Sequence, residues 1–595
     1  MQIRRILRGD LGNNERVADP VAHVEKRVAA AFVEVGGDKA KGVDTAVRQS
    51  DRADAQINGC LALAKAMGLA PRDVAAKVLA TVDLRDICSA ADVAGPGFIN
   101  LTFDDDFLAR ELISVSSSAR LGVRTAAVAR KVVIDYSAPN VAKEMHVGHL
   151  RSTVIGDALA RMLMFVGHQV TRENHVGDWG TPFGMLIEHL VDLGETKAAS
   201  ELSVGDLDSF YRGARKKFDD SEAFQERARS RVVKLQGGDG ETLRLWRLLV
   251  AESTRYFQTI YQTLGVLLET SDVMGESAYN DLLPEVVRRL ADAKMLVVSD
   301  GAEVVFPSGF TNRENQPLPL IIRKSDGGYN YATSDLACVI DRVERLRADL
   351  LIYVVGSPQA QHLEMVAAVA GQVGWLKPPC EMVHVAFGNV LGADKKMLKS
   401  RSGDAVKLDA LLTEAVERAA NAVTEKNPEL SSQTKAEVAN FIGLGSVKYA
   451  DLSTDRVKDY IFDWERMLSF DGNTAPYLQY AHARICSIFR RANIERESAK
   501  NFTPKISHAA ERALALRLLQ FDSAVWDTID KYSPHRLCTY LFELATCFSS
   551  FYEQCPVLKA TGETERDSRL MLCDLTARTL QTGLDLLGIN APEQM

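Results

Sequence analysis

The sequence predicts an α/β protein: a Rossmann-type, doubly wound and mostly parallel sheet at the centre, a smaller α/β domain before it, and an all-α bundle after it. Three observations carry this. Between Lys131 and about residue 400, β-branched runs alternate with helical ones. From Gly403 onward the pattern is almost wholly helical. Before about residue 120, helical patterns mix with a strand signal behind the turn Pro96-Gly97.

Taken in order, residues 1–122 make the first unit. After its turn, Phe98 to Phe103 alternates in part, and the Ser- and Ala-rich stretch 114–129 joins it to the centre. The central unit, 123–403, opens with Val132, Val133 and Ile134, breaks at Pro139 and delivers His146-Val147-Gly148-His149 into the start of a helix. Leu150, Val154, Ala158, Leu159, Met162, Leu163 and Val166 recur at helical spacing, and Gly167 supplies the stop. Further strands are expected around Val170, at 350–355 and at 383–387. A polar, strongly helical block from about 190 to 295 reads as an insertion between the halves of the sheet. Residues 404–470 read as a helical stem and 471–595 as the bundle. Near the bundle's start, Arg484 and Arg491 stand nearly on one helical face.

Composition narrows the class. Hydrophobic residues make up 46% of the chain, enough for several cores, and no long uncharged apolar run reaches membrane-spanning length. The start, 1–10, is basic but has no apolar stretch behind it, so it is no secretory signal, and Asp10 and Glu15 speak against an organelle leader. Nine cysteines lie scattered, with no C-x-x-C pair and no Cys/His cluster at zinc spacing. A reduced, cytoplasmic setting and no metal site are therefore expected. Cys338, Cys486, Cys538 and Cys547 are expected to pack as small hydrophobes. A net charge of −8 argues against nonspecific polyanion binding, yet it leaves room for local basic patches that contact phosphate.

The chemistry is concentrated in two places. A strand that turns sharply into a helix offers free backbone N–H groups and a positive dipole end, which suits phosphate, and His146 and His149 add donors there. Far downstream, Lys395-Lys396-Met397-Leu398-Lys399-Ser400-Arg401-Ser402-Gly403 is in outline a mobile phosphate clamp. In this order the two elements resemble the HIGH and KMSKS pair of class I aminoacyl-tRNA synthetases, with Val147 for Ile and Leu398 where the pattern has Ser. The segments 137–140, 142–143, 146–153, 174–180, Gly275-Glu276-Ser277, 331–337 and 477–484 are similar to those of arginyl-tRNA synthetases. The resemblance runs from Gly95 to Met595.

That resemblance implies a two-step reaction: arginine and ATP give a bound adenylate and pyrophosphate, and the adenylate then acylates the terminal ribose of tRNA(Arg). The partners are arginine, ATP with Mg2+, and tRNA(Arg); no membrane is involved, and a monomer is expected. His146 and His149 would donate to phosphate oxygens, and Gly148 would let adenine or ribose lie against the backbone. Lys396 and Lys399 would close over the outer phosphates, sharing the work with Lys143 just before the first motif. Tyr331 and Asp335, four apart on a helix start, would face a guanidinium together. Charge-assisted hydrogen bonds of that kind contribute about 1.5–3 kcal/mol each, and a buried, poorly paired carboxylate rejects wrong substrates by roughly 10⁴-fold. Asp135, Ser137 and Asn140 match the residues around the substrate α-amino group, Gln359 matches another contact, and His362 is expected near the nucleotide. Tyr477, Tyr480, His482 and Arg484 suit stacking on anticodon bases and pairing with phosphate. The alternatives are a nucleotidylyltransferase of the same superfamily, a synthetase of other specificity, and a silent paralogue that only binds tRNA. The first has no need of the long helical C-terminus. Asp335 with Tyr331 favours a cationic substrate, and a silent chain would be expected to have lost His146, His149 or the loop lysines.

Overall fold

The computed structural model describes residues 18–50, 52–180, 182–194, 207–399 and 406–595. The expectations for the chain start at 1–10 and for Ser400 to Gly403 lie outside those residues. At the centre four strands run parallel in the order Glu381–His384, Leu350–Tyr353, Lys131–Asp135, Gln169–Glu173. The middle strands Leu350–Tyr353 and Lys131–Asp135 are buried almost throughout. Strands covered on both faces read as continuous apolar runs, which is why they were legible. The expected strand at 383–387 is shifted: it starts at Glu381 and ends at His384.

The chain passes from Lys131–Asp135 to Gln169–Glu173 on one side and returns to Leu350–Tyr353 on the other. The sheet order therefore reverses between the two middle strands, and a crevice opens at their C-terminal ends, where Asp135 and Tyr353 stand in register. The helix Val147–Phe165 makes the first crossover. Its apolar face is as the spacing predicts, but Arg151, Ser152, Thr153 and Asp157 on its other sides are buried too. The stem helix Ser432–Leu452 and the last helix, Glu563–Leu586, pack on it and cover those sides.

The N-terminal domain holds a four-stranded antiparallel sheet in the order Val47–Ser50, Ala53–Ile57, Phe98–Phe103, Cys88–Ala94. Its helix Asp105–Ser117, capped by Asp104 accepting from the Phe107 N–H at 2.9 Å, takes up the first part of the expected linker. The insertion is helical as expected, with Leu207–Asp220, Glu222–Gln236 and Gly240–Leu264. A three-stranded antiparallel sheet follows, Val297–Ser299, Ala302–Val305 and Leu320–Arg323, which the sequence reading lacked. Strands of three or four residues are too short to show a period.

After the second lysine element come the paired stem helices Leu408–Lys426 and Ser432–Leu452. The bundle comprises Ala475–Ala492, Ala509–Leu518, Phe521–Lys531, His535–Gln554 and Glu563–Leu586. It reaches back to the first domain, where Arg512 pairs with Asp54 at 2.6 Å and Asp105 at 2.8 Å. All nine cysteines are free; Cys338, Cys486 and Cys538 are buried and Cys547 half-buried. Among the described residues no helix is long and apolar enough to cross a membrane.

Candidate active site

The two motif histidines cap their own helix. His146 Nδ1 accepts from the Gly148 N–H at 3.0 Å, and His149 Nδ1 accepts from the His146 N–H at 3.1 Å, so the pair forms a reciprocal cap on Val147–Phe165. A nitrogen that accepts from a backbone N–H carries no proton. Burial pushes His146 below the ordinary histidine value and His149 down to about 3, so both rings are neutral near pH 7. Their protons then sit on Nε2. Two neutral Nε2–H donors, with ring centroids 4.1 Å apart, are thus fixed at a helix N-terminus. Gly148 has a nearer reason than a nucleotide to lack a side chain: a Cβ there would lie 2.7 Å from Cε1 of His146.

The loop before the histidines is held in a demanding shape. Ser137, Ala138 and Ala142 all have positive φ, which costs non-glycine residues about 1–3 kcal/mol each. The surroundings impose it. The Ser137 N–H donates to Ser152 Oγ at 2.9 Å, the Ala138 N–H to Asn174 Oδ1 at 3.0 Å, and the Ala142 N–H to Ser253 Oγ at 2.9 Å. Ser137 Oγ is itself taken up by Tyr261 and Thr153. Asn140 is exposed and bridges to Gly177, whose missing Cβ leaves room for the Asn140 amide. Lys143 is exposed, its Nζ 4.5 Å over the Tyr211 ring of the insertion.

The segment 145–147 is tied to 406–408, which follows the second motif in the sequence. The Val147 N–H donates to Val406 O at 3.0 Å, the Leu408 N–H to Met145 O at 2.9 Å, and Lys407 pairs with the buried Glu144 at 2.7 Å. Before that, Val390–Leu391 and Met397 form a hairpin closed by Gly392 N–H to Lys396 O at 2.8 Å. Leu398 is half-buried and packs on the core, whereas Lys396 and Lys399 are exposed. The residue that departs from the motif thus anchors the hairpin, and the lysines stay free to swing.

Across the crevice, the helix Tyr331–Glu344 carries the expected pair. Tyr331 is largely exposed, and Asp335 lies one turn further in. His362, expected near the nucleotide, meets Asp335: Nε2 stands 2.5 Å from Oδ2. Gln359, at the end of the short turn Ser357–Gln359, is exposed. Asp135 is buried, and one of its oxygens is committed to Arg342 at 2.7 Å, which also binds Glu173 at 2.7 Å. Only its second oxygen is left unengaged by Arg342, a commitment that the sequence did not show. Glu276, in Gly275-Glu276-Ser277, faces the same region. Burial pushes this carboxyl up to about 7, His175 pulls it back, and Asp178 and Asp335 raise it further. It therefore shares the negative field around Asp335, and no spacing rule could have placed it there.

In the bundle the four expected RNA contacts separate. Tyr480 is exposed, and the Arg484 guanidinium lies 4.7 Å over its ring and 5.7 Å over that of Tyr552. Tyr477 is half-buried against Phe542. His482 does not belong on this surface: it is fully buried, and its Nδ1 is 2.9 Å from the Pro592 carbonyl. Tethered to the chain's end, it offers RNA nothing.

Comparison with known proteins matches this layout. Residues 112–464 match the family described as tRNA synthetases class I (R), catalytic domain. Residues 478–595 match the DALR anticodon binding domain, and 22–103 the arginyl tRNA synthetase N terminal domain. The arginine–tRNA ligase of Thermobifida fusca is 53% identical over 97% of this chain and 100% of its own length. That of Enterobacter sp. is 48% identical over 96% and 99%. The arginyl-tRNA synthetase structures from Plasmodium falciparum and Thermus thermophilus superpose with TM-scores of 0.84 and 0.80 at 27% and 26% identity, over 98% and 97% of this chain and all of theirs. With each of its three parts matched in order, the chain belongs to the arginyl-tRNA synthetase family, the class I ligases that join arginine to tRNA.

Proposed function

We propose that the crevice performs both half-reactions with the following division of labour. The arginine carboxylate attacks the α-phosphorus of ATP in line, pyrophosphate leaves, and the 3′-terminal ribose hydroxyl of tRNA(Arg) then attacks the adenylate carbonyl, releasing AMP. No covalent enzyme intermediate is required, so the protein positions the reactants and stabilises developing charge. The observation that carries this is the fixed pair of Nε2–H donors on His146 and His149. They donate to phosphate oxygens as negative charge builds, without gaining or losing a proton themselves.

Lys396 and Lys399 neutralise the leaving pyrophosphate, and Lys143 joins them by leaving Tyr211. Magnesium enters with ATP as part of the substrate. Asp335 and Tyr331 receive the guanidinium, Glu276 adds to the field that favours a cation, and Asp135, Asn140 and Gln359 hold the other end of the amino acid, beside Ser137. Bidentate pairing with a carboxylate separates arginine from lysine. Tyr480 and Arg484, with Tyr477 at their edge, meet unpaired anticodon bases. The domains take the boundaries 1–122, 123–403, 404–470 and 471–595, and the chain acts as a monomer. Nine free cysteines favour a reducing cytoplasm.

The test is arginine-dependent ATP–pyrophosphate exchange, with and without tRNA, against lysine, glutamate and cysteine. Exchange with arginine alone, requiring tRNA, is expected. In Asp335→Asn the KM for arginine should rise by roughly 10²-fold or more, the loss of a charge-assisted pair. An unchanged arginine KM in that variant would remove Asp335 from the reading.

A further inference from the structure

The contact between His362 and Asp335 joins two helices that both deliver residues to the arginine pocket. Asp335 projects from Tyr331–Glu344, one turn beyond Tyr331. His362 lies in the first turn of Ala360–Val373, three residues after Gln359. Their Nε2–Oδ2 distance is 2.5 Å, and the side chains are 34% and 23% exposed, so the pair borders the pocket rather than lying under it. A carboxylate has two oxygens, and His362 engages Oδ2.

We propose that His362 is a positioning residue for arginine recognition, orienting Asp335 toward the guanidinium when neutral and competing with the substrate's charge when protonated. The inference rests on Asp335 being the guanidinium carboxylate. The neutral ring donates its Nε2–H, fixes the carboxylate plane and leaves the full negative charge for the substrate. The imidazolium cancels that charge. Hydrogen bonding to Asp335 raises the His362 pKa above the ordinary histidine value, which favours the imidazolium in the free site. A guanidinium beside the same carboxylate opposes that protonation, and its binding expels the proton to solvent. Arginine affinity therefore improves as pH rises from the ordinary histidine value to the raised one, by at most about tenfold per unit, and levels off above it.

Titratable groups around Asp335 and on the elements packed with the His362 helix set the background. Glu276 and Tyr353 both sense Asp335. His384, on the neighbouring strand, has its Nε2 2.9 Å from Val355 O, and Glu364 is on the same helix as His362. Glu276, pushed up to about 7, titrates in the same window and would also release a proton on binding a cation. The histidine is isolated by difference.

The experiment measures KM for arginine in tRNA-supported exchange from pH 6 to 8.5, for wild type, His362→Gln and Glu276→Gln. It is paired with calorimetry of arginine binding at pH 7 in two buffers of different ionisation enthalpy, which counts released protons. In wild type KM should fall several-fold with rising pH. His362→Gln, which keeps a donor but cannot titrate, should show a shallower fall and fewer released protons, with the difference carried by KM rather than kcat. Equal proton release and equal KM slopes in His362→Gln and wild type overturn the inference, as does a loss confined to kcat. Asp335→Asn separates the two failures. If it binds arginine as well as wild type, the pocket assignment itself falls; if it loses arginine while His362→Gln behaves as wild type, only the role of His362 falls.

Discussion

In the proposed reaction His146 and His149 each use one nitrogen for the backbone and keep the other for phosphate, so capping and catalysis can be pulled apart by substitution. In His146→Asn the side-chain oxygen can still accept from the Gly148 N–H, but no donor reaches as far as Nε2. The thermal midpoint should hold, while the adenylation rate falls roughly 10²–10³-fold. Pyrophosphate exchange beside a melting curve checks both halves. Gly148→Ala should be nearly as damaging, because its Cβ displaces the His146 ring. A second histidine reports on stability. His168 is buried, its Nδ1 accepts from the Arg130 N–H at 3.2 Å, and burial lowers its pKa to about 4, with Arg130 adding to the effect. The unfolded chain protonates this ring near pH 6.5 and the folded protein does not. Its contribution to stability is therefore fully present above pH 6.5 and is lost as pH falls toward 4, by at most about 1.4 kcal/mol per unit. His168→Gln should flatten the acid limb of the unfolding midpoint by about one proton, as a pH series of melts would show.

The strap between 145–147 and 406–408 joins two elements that sequence alone leaves some 260 residues apart. Glu144 is almost fully buried, whereas the Lys407 side chain is 41% exposed. Removing one or the other is not equivalent. Lys407→Met leaves a buried carboxylate without its cation and should lower stability by about 1–2 kcal/mol, less than the 3–5 kcal/mol of a wholly buried pair because solvent screens one side. Glu144→Gln leaves a lysine that water can solvate and should be nearly neutral. Melting midpoints of the two variants decide it. Legibility at this scale followed length. The helix Val147–Phe165 and the buried strands around Ile134 and Ile352 stood out, whereas the short sheet 297–323 left no period to read.

At the scale of the molecule, the start of the central unit is clamped to the bundle. Arg124 lies at 2.5 Å from Asp522, with both side chains buried, and the Trp526 indole N–H donates to Arg124 O at 3.3 Å. Arg124→Met should cost about 3–5 kcal/mol, because Asp522 is left charged and dry. The double variant Arg124→Met with Asp522→Leu should recover most of that loss. Melting curves, and proteolysis rates within 118–129, would report the loosening and its repair. The buried pair of Arg151 with Asp451, at 3.1 Å, ties the histidine helix to the stem in the same way. Displacement of the bundle would therefore be felt at the helix that holds the catalytic histidines.

By itself the sequence determined the order of domains and the reaction class, and it named the candidate groups of the pocket. Those properties reside in contiguous runs, 131–150, 331–337 and 395–399, where spacing along a strand, turn or helix already fixes which groups face together. Tertiary structure decided the rest. It left Nε2 as the protonated nitrogen of both histidines, committed one oxygen of Asp135 to Arg342, set His362 against Asp335, brought Glu276 into the same field, and withdrew His482 into the core. Each of these depends on a partner between 3 and more than 200 residues away. Burial and long-range pairing arise only when separate elements pack, and no local period encodes them.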